Sequence, residues 1–222
     1  MLNWSNIDTV LLDMDGTLLD LHFDNHFWME HTPKALAKKH NIPLAQAKTE
    51  LKKQNDAVFG QLQWYCLDYW QQELDLPIVE LKKEIQHLIQ LRPDTLPFLD
   101  ALKAAGKQVV LVTNAHPDSL SLKVERTELD AHIDTLISCH KYGVSKESQS
   151  LWQQLQQELK FDPATTLFVD DSERILQAAK EFGIQHLLAV ANPDSKKASK
   201  TIDGFFNTTD YRTLLQDINP QV

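Results

Sequence analysis

The sequence has few cysteines and no long apolar run, and each shortage excludes a class of protein. There are only two cysteines, and no apolar run approaches the roughly 18–20 residues that a membrane-spanning helix needs. Cys66 and Cys139 show neither CxxC spacing nor the neighbouring histidines of a zinc site, so we expect two reduced thiols. The first residues lack a basic region followed by an apolar stretch, so we expect no signal peptide and a cytoplasmic protein.

Positive charge is also in short supply. Lys and Arg total 22 against 31 Asp and Glu, which gives a net charge of −9. This balance argues against a nucleic-acid polymer as the main partner, and it requires any phosphate site to be locally positive. We therefore expect a small-molecule substrate, with no membrane and no obligate protein partner. A chain of 222 residues that is 42% hydrophobic suffices for one domain, with or without an insert.

Strand signals are almost absent between about residues 22 and 91. This region is rich in Lys, Gln, Glu, Leu and Ala, which are good helix formers. Pro33, Pro43 and Pro77 divide it into predicted helices near 33–40, 43–59, 61–75 and 78–90. An apolar run before it predicts a first strand at about 8–13.

From residue 92 onward, helices and strands alternate. Helices are predicted at 94–105, 117–129, 146–159 (with Ser145 as N-cap) and 172–182, and strands at 108–113, 135–139, 166–170 and 185–190. This alternation is typical of right-handed βαβ units and a parallel sheet. The sequence thus predicts an α/β, Rossmann-like doubly wound core built from residues 1–20 and 92–222. The helical insert, 21–91, would form a cap domain over the strand ends, where a lid belongs.

Polar residues follow the predicted strands in a fixed order. They are the pair Asp13 and Asp15 in Asp-Met-Asp-Gly-Thr, then Thr113-Asn114, Lys146 and Asp170-Asp171. Because side chains alternate along a strand, Asp13 and Asp15 point the same way. Burying like charges together is costly, so the pair indicates a bound cation, or proton and phosphoryl chemistry.

This ordered set resembles the haloacid dehalogenase (HAD) superfamily of phosphotransferases, and the resemblance covers nearly the whole chain. The helical insert, which lies between the first and second motifs, resembles the C1 cap of that superfamily. Three stretches, 24–28, 63–70 and 113–117, are similar to the bacterial GMP/IMP-preferring 5′-nucleotidases.

The resemblance implies a role for each motif residue. Asp13 would be the nucleophile that forms an aspartyl-phosphate, and Asp15 would act as general acid and then general base. The Thr113 hydroxyl, the Asn114 backbone N–H and the Lys146 ammonium would hold the phosphoryl oxygens.

The resemblance also implies Mg²⁺, held by Asp13, by the backbone carbonyl of Asp15 and by Asp171. Asp171 is favoured over Asp170 as the direct ligand, and Asp170 would support the site without binding the ion. Lys141 is an alternative to Lys146, which we prefer because it opens a predicted helix.

The function expected from this set is a Mg²⁺-dependent 5′-nucleotidase that hydrolyses GMP and IMP. A sugar-phosphate or FMN phosphatase and a phosphomutase remain open as alternatives, because they would use the same core. A non-catalytic binding protein on this fold is the alternative from another class. Dehalogenation is disfavoured, because that reaction needs no phosphate cradle and no acid–base group at Asp15.

Most aromatic residues of the predicted cap are interpreted as hydrophobic core, with one or two stacking on a purine. His116 is either a plain loop residue or a contact to substrate, and the sequence leaves both interpretations open.

Overall fold

The computed structural model describes residues 2–219, which contain a six-stranded parallel sheet. The strands are β1 (Thr9–Leu12), β2 (Gln108–Thr113), β3 (Thr135–Ser138), β4 (Thr166–Asp170), β5 (His186–Val190) and β6 (Phe206–Thr208). Their order is β3-β2-β1-β4-β5-β6, and in register Leu12 lies between Leu111 of β2 and Val169 of β4. The order changes direction between β1 and β4, which is where such sheets bind ligands. The predicted α/β, doubly wound parallel fold is confirmed.

Helices pack on both faces of this sheet. They are α7 (Thr95–Ala104), α8 (Pro117–Thr127), α9 (Gln149–Leu159), α10 (Glu173–Phe182) and the short α11 (Leu215–Ile218). Strand side chains alternate between two buried clusters, so that Leu12 packs in the cluster of α7 and Leu11 in the cluster of α9 and α10. Because both faces are covered, β1 is buried along its whole length. None of the helices within residues 2–219 combines the length and the apolar character that crossing a bilayer requires.

The chain between β1 and α7 is helical, as predicted. It contains α1 (His22–His26), α2 (Thr32–His40), α3 (Leu44–Val58), α4 (Leu62–Tyr65), α5 (Leu67–Leu74) and α6 (Ile78–Glu84), with a π-helical turn at Phe27–His31 and a 3₁₀ turn at Gln86–Leu88. We call residues 22–88 the helical region. It has its own hydrophobic cluster, centred on Phe27 and Trp70, which are both fully buried.

The chain enters and leaves the helical region through two adjacent segments. Leu19 pairs with Leu91, the Asp20 N–H donates to the Gln90 carbonyl at 2.9 Å, and the Arg92 N–H donates to the Leu18 carbonyl at 3.0 Å. The predicted domain boundaries, at 20/21 and 91/92, coincide with these segments. The division into a cap and a core domain stays a prediction.

Three local predictions were wrong. The helix expected at 61–75 is broken at Cys66, whose backbone is extended. Helix α9 begins at Gln149 with Ser148 as N-cap, not at Lys146 with Ser145, since residues 145–148 form a turn closed by the Ser148 N–H and the Ser145 carbonyl. Strand β6 was missed because it has three residues and its Phe206 is exposed, so that it shows no buried apolar run.

Candidate active site

The carboxyl ends of β1, β2 and β4 open into a cavity of about 300 Å³. Its wall contains all the residues that the sequence predicted for the site, namely Asp13, Asp15, Thr113, Asn114, Lys146, Asp170 and Asp171. The helical region contributes further wall residues, including Trp28, Phe59 and Trp64. The fold therefore brings together residues that lie up to 158 positions apart in the sequence.

Lys146 joins the ends of β1 and β4. Its Nζ lies 2.5 Å from Asp13 Oδ1 and 2.7 Å from Asp170 Oδ2, and all three side chains are buried. Burial opposes the charge on Lys146, but the two carboxylates outweigh it and raise the lysine pKa well above its usual value. Burial raises the pKa of Asp13 to about 6 despite this lysine. Because Asp170 Oδ1 also accepts from the Ser172 N–H at 2.8 Å, both oxygens of Asp170 are engaged.

Asn114 holds the loop that carries Lys146. Its Oδ1 accepts from the Lys146 backbone N–H at 2.8 Å, and its Nδ2 donates to Glu147 Oε2 at 3.2 Å. The Tyr65 hydroxyl donates to the other oxygen of Glu147 at 3.0 Å, which ties the helical region to this loop. The neighbouring Thr113 hydroxyl oxygen accepts a backbone N–H at 3.0 Å, so its own hydrogen can be donated into the cavity.

The choice of Lys146 over Lys141 agrees with the geometry, but the reason given for it was wrong. Lys146 precedes α9 by three residues and reaches the cavity through the turn, so it does not open the helix. Lys141 lies at the surface and pairs with Glu158 at 2.7 Å.

Asp15 belongs to a chain of alternating charges that the sequence analysis missed. Lys123 of α8 donates to Asp15 Oδ1 and to Asp24 Oδ2, each at 2.6 Å, and Lys82 of α6 donates to Asp24 Oδ1 at 2.7 Å. Burial raises the pKa of Asp15 to about 6, with Lys123 opposing it. Burial also acts to raise the pKa of Asp24, but Lys123 and Lys82 prevail and hold it far below its usual value.

A signal for both lysines was present in the sequence. Lys82 follows Ile78 and Leu81 at the spacing of one helix face, and Lys123 stands next to Leu122 on the buried face of α8. A lysine at an apolar-face position indicates a buried partner of opposite charge, because an unpaired buried ammonium is too costly.

Three carboxylates form the part of the site that suits a metal ion. Ligand oxygens of Asp13, Asp170 and Asp171 lie within 4.8 Å of one another. Burial, together with Asp170 and Asp13, raises the pKa of Asp171 well above its usual value. Gly16 leaves room for this carboxylate, because a Cβ at that residue would lie 2.7 Å from Asp171 Cγ. An oxygen-only donor set of this kind fits Mg²⁺.

The charges that line the cavity also favour binding of a cation. Six carboxylates face it (Asp13, Asp15, Asp24, Glu147, Asp170 and Asp171), against four basic side chains (Lys82, Lys123, Lys146 and Arg174). When all six carboxylates are ionised, the difference is two negative charges in a largely buried space. A dianionic phosphate ester entering this cavity would meet net repulsion, which a divalent cation cancels.

Part of the cavity wall is aromatic and cationic. Phe59 and Trp64 pack edge to face with ring centroids 5.2 Å apart. The Arg174 guanidinium, from the first turn of α10, lies 4.5 Å from the Phe59 ring centroid. Within residues 2–219, Arg174 makes no hydrogen bond or ion pair, so its donors remain available to a ligand. The sequence analysis counted the aromatic residues but missed Arg174.

Comparisons with known proteins agree on one family. The sequence model described as "Hydrolase: haloacid dehalogenase-like hydrolase" matches residues 7–183. The chain is 47% identical over 215 residues to GMP/IMP nucleotidase YrfG of Escherichia coli K12, covering 97% of each chain. It is 24% identical over 190 residues to phosphoglycolate phosphatase of Aquifex aeolicus, covering 82% of this chain and 84% of the relative.

Solved structures share the fold at low sequence identity. A HAD phosphatase from Thermococcus onnurineus superposes with a TM-score of 0.77 at 22% identity, covering 96% of this chain and 97% of that one. An L-2-haloacid dehalogenase from Xanthobacter autotrophicus superposes with a TM-score of 0.65 at 18% identity, covering 97% and 100%. Because phosphatases and dehalogenases both appear, this likeness establishes the fold alone.

Proposed function

This chain belongs to the haloacid dehalogenase-like hydrolase family and is a phosphomonoesterase, and we propose that it is a Mg²⁺-dependent 5′-nucleotidase acting on GMP and IMP. The observation that carries the proposal is the grouping of Asp13, Asp15, Lys146 and Asp171 around one cavity. The near full-length similarity to a GMP/IMP nucleotidase supports the choice of substrate.

Asp13 and Asp15 divide the proposed reaction into two displacements. In the first, the Asp13 carboxylate attacks phosphorus, the bond to the 5′-oxygen breaks, and Asp15 donates a proton to that oxygen. In the second, Asp15 takes a proton from water, whose oxygen attacks phosphorus and releases inorganic phosphate and Asp13. A pKa of about 6 for Asp15 suits a group that must both give and take a proton near neutral pH.

The remaining residues bind charge. The Lys146 ammonium, the Thr113 hydroxyl and the Asn114 backbone N–H would hold the phosphoryl oxygens. Asp13, Asp171 and the Asp15 backbone carbonyl would hold Mg²⁺, which supplies the positive charge that lets an anionic nucleophile meet a dianionic ester. Asp170 and Lys123 would then keep Lys146 and Asp15 in place.

Arg174 and the aromatic wall supply a reason for preferring GMP and IMP. Both bases present two adjacent acceptors, O6 and N7, whereas adenine presents an amino donor at position 6. A guanidinium offers parallel donors that match such a pair of acceptors, and Phe59 orients it from one face. Phe59, Trp64 and Trp28 offer surfaces for stacking a purine, each worth about 1–3 kcal/mol at comparable sites.

The test is release of phosphate, with Mg²⁺ present, from a panel of esters. The panel contains GMP, IMP, AMP, CMP, FMN, a hexose phosphate and phosphoglycolate. We expect the largest kcat/KM for GMP and IMP. Release from a sugar phosphate or FMN without release from GMP or IMP would remove the nucleotidase proposal and leave the phosphatase. Absence of turnover on every ester would favour a non-catalytic binding protein.

A further inference from the structure

A second cluster of metal-binding side chains lies beside the cavity and has no part in the proposed reaction. Cys66, His116 and His140 place their Sγ and ring nitrogen ligand atoms within 4.8 Å of one another. The three residues come from separate segments: Cys66 joins α4 to α5, His116 caps α8, and His140 lies in the 3₁₀ turn after β3. All three are partly buried, and neither cysteine of the chain is in a disulfide.

The His140 ring presents a nitrogen without a hydrogen-bond partner to this cluster. Its Nε2 is buried and makes no hydrogen bond among residues 2–219. Neutral imidazole binds metals through a ring nitrogen whose lone pair is not engaged.

His116 and Asp68 complete the arrangement. The His116 and His140 ring centroids are 5.0 Å apart. His116 Nε2 lies 3.4 Å from Asp68 Oδ2, and its Nδ1 accepts from the Asp118 backbone N–H at 3.3 Å. Asp68 therefore offers a fourth ligand beside Nε2, and the bond from the Asp118 N–H holds the His116 ring in place from its other side.

We propose that Cys66, His116 and His140, together with Asp68, form a site for a thiophilic divalent cation such as Zn²⁺, separate from the oxygen-only site at Asp13 and Asp171. One sulfur, two imidazoles and one carboxylate are a donor set that Zn²⁺ accepts and Mg²⁺ does not. Binding deprotonates the Cys66 thiol and so releases a proton to solvent.

Occupancy of this site would inhibit turnover. Cys66 and Asp68 belong to the helical region, whereas His116 and His140 lie in the segments that follow β2 and β3, so the cation would link the helical region to the strand ends. The proposed metal site adjoins the cavity, because His116 forms part of the cavity wall. A helical region that cannot move away from the strand ends would slow substrate entry and product release.

The first experiment measures binding directly, with Mg²⁺ saturating. Co²⁺ is titrated into the reduced full-length protein, and the thiolate-to-metal charge-transfer band and the intense visible bands of tetrahedral Co²⁺ are recorded. We expect one equivalent of Co²⁺ to bind and one equivalent of Zn²⁺ to displace it. Cys66→Ser should abolish the thiolate band, and His140→Gln should weaken Zn²⁺ binding by at least ~10-fold. His132→Gln, which changes a histidine that pairs with Asp100 elsewhere, should leave both unchanged.

A second readout uses alkylation of the two thiols. Zn²⁺ should protect Cys66 from iodoacetamide, whereas Cys139 should resist the reagent with or without Zn²⁺, because burial raises its pKa to about 12. Alkylation of Cys66 at the same rate in both conditions, or a thiolate band that persists in Cys66→Ser, would overturn the proposed site.

Inhibition is tested on p-nitrophenyl phosphate in excess Mg²⁺. Zn²⁺ should inhibit the unmodified protein, and Cys66→Ser, which should turn over normally without Zn²⁺, should lose that inhibition. Equal inhibition of both proteins would place the inhibitory ion at the acidic site. It would contradict the proposal that a cation linking the helical region to the strand ends inhibits turnover. The spectra do not depend on catalysis, so their outcome is independent of the proposed nucleotidase function.

Discussion

Replacement of Lys123 by Met tests whether the buried charge chain positions Asp15. Lys123 is 2% exposed and bridges Asp15 and Asp24 through two bonds of 2.6 Å. Met has a similar length and no charge, so the variant leaves two partly buried carboxylates, of which only Asp24 keeps a lysine partner, Lys82. Breaking a buried ion pair from one side costs about 3–5 kcal/mol, a large part of the roughly 5–15 kcal/mol that stabilises a typical protein.

Urea denaturation measures the first consequence. We expect the free energy of unfolding to fall by about that amount in Lys123→Met. Adding Asp15→Asn removes the carboxylate charge that has lost its lysine, whereas Asp24 keeps Lys82, so the double variant should recover part of the loss, with a coupling energy of about 0.5–3 kcal/mol.

Turnover of two esters measures the second consequence. GMP has a poor leaving group that needs a proton from Asp15, whereas the leaving group of p-nitrophenyl phosphate departs without one. If Lys123 positions Asp15, kcat should fall more for GMP than for p-nitrophenyl phosphate, by up to the ~10²–10⁴-fold that proton transfer supplies. Equal losses on both esters, together with unchanged stability, would refute a positioning role for Lys123.

Three further variants test other parts of the site. Asp171→Asn should abolish the rise in melting temperature that Mg²⁺ produces. In EDTA the variant should melt no lower than the unmodified protein, because it lacks the carboxylate that Asp170 and Asp13 repel. A melting temperature that Mg²⁺ still raises would argue against Asp171 as ligand. Gly16→Ala should raise the Mg²⁺ concentration that gives half-maximal activity, because its Cβ would meet Asp171. For the same reason its loss in free energy of unfolding should exceed the ~1–2 kcal/mol that a positive φ costs a residue with a side chain. Gly106→Ala, which has open space at φ +68°, should lose only that amount. Arg174→Gln should raise KM for GMP and IMP by ~10–100-fold but leave KM for p-nitrophenyl phosphate unchanged. Arg126→Gln, at the surface, is the control and should change neither value. Equal changes in KM on all esters would exclude a contact between Arg174 and the base.

The sequence predicted the parts of the site that depend on strand ends. Asp13 and Asp170 follow buried apolar runs, so β1 and β4 could be located and their ends placed at one edge of a parallel sheet. Lys146 was chosen as the opening residue of a helix, and it lies in the cavity wall; its role stays a prediction. A turn held by Asn114 carries Lys146, and that contact spans 32 residues and leaves no local signal.

The parts that were missed depend on contacts between distant segments. Lys123 and Arg174 reach the cavity only because α8 and α10 pack beside it, and neither has a motif around it. The sequence analysis excluded a zinc site at Cys66 because no histidine lies near it in the sequence. The fold brings His116 and His140 to Cys66 from positions 50 and 74 residues away. Local patterns record which residues share an element, whereas this cluster depends on how elements pack.

The central claim is that Asp13 accepts the phosphoryl group, and acid quenching during turnover of GMP with Mg²⁺ tests it most directly. Mass spectrometry of the quenched protein should find one added phosphoryl group, and fragmentation should place it on Asp13. Asp13→Asn should remain folded, carry no such group and release no phosphate. Turnover that continues in Asp13→Asn, or a phosphoryl group found on another residue, would contradict the account.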